Sequence, residues 1–498
     1  MHRQHPIAVI GYTSRYFWLL IIPLIRGLLT IRPNMGSIRR WAEGAEWDIL
    51  IVVIMLLAAV YSYVFLEYEI DSFGIRVKTG VCPMIRTDII YERISMVSAE
   101  QNLFYRGMRL VKIRIETDAP VLRRKNSDIT LVMPEDEFGR LTDRISDSFR
   151  KNGSRRVKTA YKVSFAETAM FALLFSSAVS GAFLMVTFIS GSATIIGEKL
   201  EASLLGIVDG VSEALAELIG NIIYGISPVG LKISIIIGVG FSVSFLSNLL
   251  RLARFTTVRD GGSIRIDTGL ITKRMYLINA TRINMVDMRQ NLFMKIAGLT
   301  SVHISCTGYG KQKSELPVFI PICSSRRKDK RLLKIGKAME DILPEFATGE
   351  HYISSDILYA GRLIWPPALW VCLQPVAALV LTVFFPEWYD LILFIMIIGE
   401  VPAVIMLITK TAAYLTNGVD IKKNCFCAKY NKWYEFHTIS VPFERLAQIK
   451  ITQTPFQRIN RSCDVHIFTA SEYKMGQPVR ALPAAEVQDL LKAAGNRR

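Results

Sequence analysis

The stretch SAEQNLFYRG (Ser98–Gly107) returns later in the chain as DMRQNLFMKI (Asp287–Ile296), so Gln-Asn-Leu-Phe occurs twice among 498 residues. The residues on either side match in the same register, at a constant offset of 189 positions. The matched flanks are IRVKTG (Ile75–Gly80) over IRIDTG (Ile264–Gly269) and RISMV (Arg93–Val97) over RINMV (Arg282–Val286). Agreement over this length at one offset indicates a duplicated domain rather than a chance match of four letters.

A third and weaker copy lies near the end of the chain. ERLAQIKITQTPFQR (Glu444–Arg458) places Gln453 over Gln101 and Phe456 over Phe104. About eight extra residues precede this stretch, and we interpret them, with AKYNKWYEFH (Ala428–His437), as a lengthened hairpin. The chain therefore carries three repeats.

Long apolar runs account for the 51% of residues that are hydrophobic, a content that does not suit an ordinary soluble protein. Most runs reach the ~20 residues that cross a bilayer. We predict six transmembrane helices in three pairs, with each pair preceding one repeat. The runs are Tyr16–Ile31, Ile49–Leu66, Ala169–Ile189, Leu231–Leu250, Leu363–Phe385 and Tyr389–Thr409.

The charges beside the apolar runs predict the orientation. RKNGSRRVKTAYK (Arg150–Lys162) carries six basic residues and no acid, whereas the loop Ser190–Gly230 is mainly acidic. Positively charged flanks stay in the cytoplasm. We therefore expect both termini and all three repeats on the cytoplasmic side of a plasma membrane.

Each repeat reads as strands followed by a helix. Leu110–Ile115 alternates apolar and polar residues, which is typical of a strand. The first repeat then closes with Pro134 and an amphipathic helix whose apolar face holds Phe138, Leu141, Ile145 and Phe149. This order predicts a small β-barrel capped by a C-terminal helix in each repeat.

The repeat pattern Arg-Ile-x-x-Val … Gln-Asn-Leu-Phe … Gly-Leu, with HPIAVI (His5–Ile10) near the start, resembles the bacterial pleckstrin-homology-like (PH-like) membrane proteins of the YdbT type. The first repeat departs from it, because Arg109 stands where the second has Gly298. The resemblance implies a location in the bacterial plasma (inner) membrane and pairing with a smaller PH-like relative. It also implies a link to envelope stress or to resistance against antimicrobial peptides.

The predicted fold class is thus an α+β membrane protein, with three transmembrane hairpins that each precede a cytoplasmic PH-like barrel. The predicted segments are residues 1–66 (N-terminus and first hairpin), 67–152 (first PH-like domain), 163–250 (second hairpin, with an outer amphipathic helix at 194–226), 251–350 (second PH-like domain), 363–409 (third hairpin) and 410–498 (third PH-like domain).

We interpret the repeated motif as packing rather than chemistry, because apolar pairs at strand spacing usually lie in a core. The motif residues are Gln101, Leu103, Phe104, Gln290, Leu292, Phe293, Gln453 and Phe456. The Leu-Phe pairs are expected to fill the barrels, and the glutamines to hydrogen-bond the adjoining turn. A protein-binding edge is the alternative.

No sequence motif for catalysis, a metal or a cofactor is found. There is no HExxH, no Walker loop, no GxSxG and no Rossmann fingerprint. His303 and His466 share a repeat position, but the first repeat has Arg114 there. The thiols of Cys425 and Cys427 lack a visible four-ligand set. We expect a protein that is not an enzyme.

Charged residues supply the remaining candidates. Arg26 and Glu400 lie inside predicted spans, where such groups are costly and face protein or water. We hypothesise that Arg26 pairs with Glu400. Basic residues beside the membrane are candidates for lipid headgroup contact, with an orientation signal as the alternative. These are Arg150, Lys151, Arg155, Arg156, Lys158, Arg326, Arg327 and Lys328.

Three functions are consistent with these features. We favour a non-enzymatic scaffold or adaptor that holds a membrane-protein partner, together with lipid headgroups, on one side of the membrane. The alternatives are a component of a peptide or lipid exporter and a sensor of anionic lipid. Nucleic acid is a poor partner, since the basic runs flank membrane spans and lack stacking aromatics. Homo-oligomerisation stays open.

Overall fold

The computed structural model describes residues 2–15, 45–80, 84–117, 129–151, 158–176, 206–213, 228–309, 317–324, 353–354, 360–422, 425–469 and 477–495. The chain divides into two compact units. The first contains Met1–Arg156, Asp260–Arg265 and Ile271–Arg282, and the second contains Val157–Arg259, Ile266–Leu270 and Ile283–Arg498.

The α-helices range from one turn to the length of a membrane span. They are α1 Ala8–Arg15, α2 Ala45–Val64, α3 Leu103–Gly107, α4 Glu135–Lys151, α5 Phe165–Phe175, α6 Pro228–Leu252, α7 Leu292–Ala297, α8 Ala360–Phe384, α9 Tyr389–Tyr414, α10 Pro455–Ile459 and α11 Ala484–Gly495. Residues 206–213 are also helical, and lie within the predicted outer helix at 194–226.

The strands pair antiparallel throughout. They are β1 His2–Arg3, β2 Leu66–Ile70, β3 Gly74–Thr79, β4 Ile85–Ile90, β5 Ile94–Gln101, β6 Leu110–Thr117, β7 Ile129–Pro134, β8 Lys158–Lys162, β9 Thr256–Asp260, β10 Ser263–Thr268, β11 Lys273–Asn279, β12 Ile283–Asn291, β13 Leu299–Cys306, β14 Val318–Ser324, β15 Ile353–Ser354, β16 Gly418–Lys422, β17 Cys425–Lys432, β18 Glu435–Pro442, β19 Leu446–Thr452, β20 Ser462–Thr469 and β21 Gln477–Pro483.

The first unit contains two sheets and one helix around a shared core. One sheet has the order β1-β2-β3-β4, and the strands β7-β6-β5-β11, in that order, belong to the other. The predicted apolar face of α4 is buried, with Leu141, Ile145 and Phe149 at most 1% exposed. These side chains belong to the same hydrophobic cluster as residues from both sheets, such as Ile75 and Ile113. Burial of each such large side chain contributes about 1.5–3 kcal/mol.

The second unit repeats this plan. One of its sheets has the order β14-β13-β12-β18-β17-β16-β15, and a further sheet has the order β19-β20-β21. Helix α11 closes the third repeat as predicted, with Val487 1% exposed inside the core. The lengthened hairpin is β17–β18, whose two strands have eight residues each. The closing helix predicted for the second repeat, with its apolar face at Leu332–Leu343, lies outside the described residues.

Over the residues that the structure describes, the predicted barrels do not close. Each repeat is divided by a three-residue 3-10 helix, at Tyr91–Arg93, Ala280–Arg282 or Phe443–Arg445, and the strands before and after it belong to different sheets. In the first two repeats, the strand after the 3-10 helix pairs on one side with its own repeat, as β5 does with β6 and β12 with β13. On its other side it pairs with the next repeat, as β5 does with β11 and β12 with β18. The protein is α+β, with three antiparallel β-sheet domains that remain open.

Three of the described helices are long and apolar enough to cross a membrane, namely Val229–Leu252, Leu363–Phe384 and Pro386–Tyr414. The last two are joined at Pro386–Trp388, where the sequence predicts a tight turn. Ile49–Val64 and Phe165–Phe175 are apolar but shorter, and Tyr16–Ile31 lies outside the described residues. The arrangement of six spans therefore stays a prediction.

Candidate functional site

The glutamine of the repeated motif makes the same hydrogen bond in all three repeats. Gln101 Nε2 donates to the carbonyl of Leu110 at 3.1 Å, and Gln290 Nε2 donates to the carbonyl of Leu299 at 2.6 Å. Gln453 Nε2 donates to the carbonyl of Ser462 at 2.9 Å. The predicted bond from the glutamine to the turn is therefore confirmed, and it ties the end of one strand to the start of the next.

A one-turn helix separates these two strands and is capped at both ends. The side chain of Asn102 accepts a bond from the Tyr105 amide, as Asn291 does from Met294. After the helix the backbone is left-handed in every repeat, with φ of 53° at Arg109, 66° at Gly298 and 52° at Arg461. In the first and third repeats an arginine therefore stands where the second has glycine, and it adopts the left-handed conformation that glycine adopts readily.

The motif's apolar side chains do not fill the core, and this prediction was wrong. Leu103 is 63% exposed, Phe104 50%, Phe293 58% and Phe456 77%, while Leu292 is half-buried. The core position belongs to the next residue along, because Tyr105 and Met294 are buried. The one-turn helix therefore points apolar side chains outward.

For α7, the outward side chains lie beside helices of the membrane region. Asn291 Nδ2 donates to the carbonyl of Leu174 in α5 at 3.0 Å. Lys295 Nζ lies 3.5 Å from Thr416 Oγ1, just beyond α9. Phe293 and Ile296 (78% exposed) extend from this short helix. An apolar surface next to spans resembles a core in sequence, because lipid and protein interior favour the same residue types.

The first and second repeats are joined strand to strand. β11 pairs antiparallel with β5, with Lys273 opposite Gln101, Tyr276 opposite Ser98 and Ile278 opposite Met96. Both strands are largely buried. Arg274 Nη2 lies 3.2 Å from Glu100 Oε1, and the guanidinium of Arg114 lies 4.0 Å from the same carboxylate. One acid thus lies between two arginines at this junction.

The second and third repeats are joined in the same register. β12 pairs with β18, and Gln290, which corresponds to Gln101, lies opposite Phe436. Phe436 stands seven residues before the 3-10 helix that begins at Phe443, just as Lys273 stands seven before Ala280. The backbone contact between consecutive repeats is therefore one recurring structure.

A buried charged cluster lies at the second junction. Asp287 accepts from Arg289 Nε at 2.7 Å and lies 3.0 Å from His437 Nδ1. His303 is opposite Asp287 on β13, and its Nε2 lies 3.1 Å from Ser301 Oγ. The ring of Tyr430 stacks on His437 with centroids 4.8 Å apart. The sequence analysis missed this cluster, although an acid at a core-facing strand position was a signal for it.

Burial and neighbouring charges set the protonation of this cluster. Burial alone raises the pKa of Asp287, but His437 and Arg289 beside the carboxylate outweigh it and hold the pKa below its ordinary range. Burial lowers the pKa of His303 well below 6.5, and Arg289 lowers it further. The carboxylate is therefore ionised and the His303 ring neutral near pH 7.

A pocket of about 310 Å³ opens beside this cluster. Trp433 and Tyr434 form the turn of the β17–β18 hairpin at its rim. Trp433 has a φ of 56° and is 69% exposed. The lining residues are Asp287, Arg289, Tyr430, Lys432, Trp433, Tyr434, Glu435, His437 and Gln477. Within the part of the chain that the structure describes, no His, Cys, Asp and Glu side chains group as a metal site would require.

The two outermost sheet edges differ from those at the junctions. β4 corresponds to β11 and β18, and among the described residues it pairs only with β3. β19 corresponds to β5 and β12, and over the same described ranges it pairs only with β20. Ile85 is 49% exposed, Ile90 56% and Ile451 37%. Within the part of the chain that the structure describes, there is thus one open edge of each type.

The comparison with known families identifies the repeats. A family model described as a bacterial PH domain matches residues 19–149, 204–324 and 372–498. The chain belongs to the bacterial PH domain family. Each match contains one copy of the glutamine motif and one of the 3-10 helices that divide the repeats, so the resemblance drawn from the repeats is confirmed. No curated protein and no solved structure matches the chain significantly.

Glu400 lies in α9, and the side chain of Gln374 in α8 lies close to the preceding residue, Gly399. One carboxylate oxygen of Glu400 and the amide oxygen of Gln374 are buried without a hydrogen-bond partner among the described residues. Gly399 makes room for Gln374, since a Cβ there would lie 2.2 Å from Gln374 Nε2. Arg26 lies outside the described residues, so its pairing with Glu400 stays a prediction.

The basic residues predicted to contact lipid headgroups divide into two groups. Arg150 lies at the end of α4, and its guanidinium is 2.6 Å from Asp260 and 3.2 Å from Asp147. Two carboxylates therefore compete with any lipid phosphate for Arg150, whereas Lys151 is exposed. Lys158 is in β8, and Arg155, Arg156, Arg326, Arg327 and Lys328 lie outside the described residues.

Proposed function

We propose that this membrane-associated protein is a non-enzymatic scaffold, which assembles membrane proteins through its PH-like domains. The observation that carries the proposal is the strand pairing between consecutive repeats. Two junctions, β5 with β11 and β12 with β18, show that these domains associate by antiparallel pairing of the same two edges. Among the described residues, both edge types are also left open, in β4 and β19.

An open edge is a suitable surface for assembly. Its unpaired amide and carbonyl groups form hydrogen bonds with an added strand, while neighbouring side chains select the partner. The array we propose lies on the cytoplasmic face of a bacterial plasma membrane, carried by six spans with both termini inside. Positive flanks and three candidate spans support this arrangement.

The proposal is tested by photo-crosslinking in intact membranes. A photoreactive amino acid replaces Ile85 on β4 or Ile451 on β19, and mass spectrometry identifies the linked proteins. Phe73, which is 80% exposed outside both edges, carries the probe in a matched control. We expect a membrane protein, either another species or a second copy, to be linked from an edge and not from Phe73. If neither edge captures any protein, the scaffold proposal is wrong.

The biological setting we infer is envelope stress or defence against antimicrobial peptides, and only the family resemblance supports it. A deletion strain should show higher sensitivity to cationic peptides, restored by the wild-type gene. Equal sensitivity of the deletion and parent strains would refute this setting while leaving the scaffold proposal intact.

A component of an exporter is the second candidate, favoured by the buried polar atoms of Glu400 and Gln374 inside apolar helices. Buried polar groups at such depth commonly mark substrate or proton pathways. Glu400→Gln should then abolish export of a peptide or lipid without lowering the amount of protein in the membrane. Gln374→Leu is the control for a purely structural role of polar groups in these helices, because it removes a polar side chain of α8 and keeps the carboxylate. Unchanged export in Glu400→Gln would refute this candidate.

A further inference from the structure

The open edges of β4 and β19 are the two halves of the junction that the chain forms twice internally. β4 precedes the 3-10 helix Tyr91–Arg93 just as β11 precedes Ala280–Arg282 and β18 precedes Phe443–Arg445. β19 follows its 3-10 helix as β5 and β12 follow theirs. Each copy of the protein therefore presents one edge of each type.

The strands at the two outer edges are more exposed than the corresponding strands at the junctions. β11 has five consecutive buried residues, Met275–Asn279, whereas the only buried residue of β4 is Ile89. β5 is buried at seven of its eight positions, whereas no residue of β19 is buried. A strand paired at its outer edge would bring β4 and β19 to the burial seen at the junctions.

We propose that β4 of one copy pairs antiparallel with β19 of a second copy, in the register of the internal junctions. This inference rests on the proposed scaffold function and names the occupant of its open edges. In that register Thr87 lies opposite Lys450, as Tyr276 lies opposite Ser98. Arg86 lies opposite Ile451 and Asp88 opposite Ile449.

The side chains of the two edges suit such a pair. In the proposed register Ile85 lies opposite Thr452. The same position holds the pair Arg274–Glu100 at the first junction and the pair His437–Arg289 at the second. Ile85 and Thr452 are both β-branched, and β-branched residues pack well across paired strands. The outer pair therefore needs no buried ion pair, and it covers the exposed side chains of Ile85 and Ile451.

A second copy is the occupant that the chain itself provides. The contact is heterologous, because the two edges are different surfaces of the same protein, so its repetition generates a ring or a filament. Each copy carries both β4 and β19, so one copy can contribute β4 and another β19. No other protein is required for the first contact to form.

Crosslinking between differently tagged copies tests the inference. One copy carries Thr87→Cys and the other Lys450→Cys, both in a background with Cys82→Ser and Cys372→Ser, and membranes are oxidised after coexpression. Directly opposed residues have Cβ atoms about 4.5–5.5 Å apart. We expect a disulfide-linked species with both tags. Ala447→Cys replaces Lys450→Cys in the register control, three residues or about 10 Å along the strand, and should link at least 5-fold less.

Three results would overturn the inference. One is the absence of a two-tag species, and another is equal linking of Lys450→Cys and Ala447→Cys. The third is a link found only within one chain that carries both cysteines. If the edge probes at Ile85 and Ile451 then capture a different membrane protein, the scaffold proposal stands while the second copy is ruled out.

A charge swap provides a test that requires no cysteine. Thr87→Lys places two lysines opposite each other, and like charges across paired strands are unfavourable. We expect at least a 5-fold weaker association of copies in detergent, with Lys450→Glu restoring it in the double variant. Both positions lie on open edges, so folding should be unaffected. Unchanged association in Thr87→Lys, or no rescue by Lys450→Glu, would contradict the proposed register.

Discussion

The two internal junctions share one backbone register and use opposite charge arrangements. At the first, Glu100 lies between Arg274 and Arg114. At the second, the position of Glu100 holds Arg289, and the acid has moved two residues to Asp287. The backbone pairing thus brings the repeats together, while the charged side chains differ from one junction to the other.

The junctions also differ in burial. The side chain of Glu100 is 27% exposed, whereas that of Asp287 is 3% exposed. A charge that is removed from water must keep its partners, because a buried ion left alone is far more costly than an exposed one. The second junction should therefore be the more sensitive to loss of its acid.

Among the changes that test this difference between the junctions, Asp287→Ala should have the largest effect on stability. It leaves Arg289 and His437 without their shared carboxylate, and breaking a buried pair typically costs about 3–5 kcal/mol. Hydrogen exchange of β18 in the purified protein reports the free energy of opening. Glu100→Ala is the matched variant, and its partly exposed site should cost about 1 kcal/mol at β11. Equal effects of the two variants would remove the distinction between the junctions.

The next largest effect should be the loss of stability of the second junction at acidic pH. Neutral His303 takes up a proton in the unfolded chain below pH 6.5 but not in the folded protein, since burial holds its pKa well below 6.5. Stability is therefore full above pH 6.5 and falls by up to ~1.4 kcal/mol per pH unit below it. The pKa of Asp287 is also lowered, so protonation of this carboxylate reduces stability only at more acidic pH.

His303→Gln should remove that slope. Hydrogen exchange of β13, corrected for the intrinsic effect of pH, is compared between pH 5 and pH 7 in the wild type and the variant. At the first junction Arg114 occupies this position and stays charged, so β6 serves as the internal control. A slope retained in His303→Gln would assign the titration to another group.

The left-handed residue after the one-turn helix should have an effect of about 1 kcal/mol. Gly298→Ala should destabilise the second repeat, and Arg461→Gly should stabilise the third, because only glycine adopts this conformation without strain. Nothing lies within 4 Å of a Cβ built at Gly298, so the cost is confined to the backbone. Gly139→Ala in helix α4 is the control, and there alanine should stabilise.

The exposed phenylalanines should contribute least to stability. Phe456 is 77% exposed, so Phe456→Ser should change the free energy of unfolding by about 0.5 kcal/mol or less. Phe426 is 1% exposed in the third-repeat core, and Phe426→Ala should cost about 3–5 kcal/mol. Thermal unfolding of the two variants compares them directly. If Phe456→Ser lowered the free energy of unfolding by more than about 2 kcal/mol, Phe456 would have a packing role after all.

Sequence comparison of the repeats predicted what depends on local chemistry. The glutamine bond, the closing helices with Phe149 and Val487, and the long β17–β18 hairpin all follow from neighbours in the chain. Phe104 and Phe293 were placed wrongly because residue type alone does not distinguish a core from an apolar outer surface.

The pairing between repeats could not be predicted in this way. Alternation in β5 or β12 shows which side chains face inward, but it does not show which strand lies beside them. His437 lies in an insertion of the third repeat, and its partner Asp287 is 150 residues away in sequence. Only the register of β12 with β18 brings these two groups together.

The most direct test of the account is a cysteine pair across the second junction. Met288 and Thr438 are directly opposed and half-buried, so Met288→Cys and Thr438→Cys should form a disulfide in nearly all molecules under mild oxidation. Met288→Cys with Ser440→Cys, a pair displaced by two residues, should link poorly. An efficient link in the displaced pair, or none in the opposed pair, would contradict a scaffold built by strand pairing between consecutive PH-like repeats.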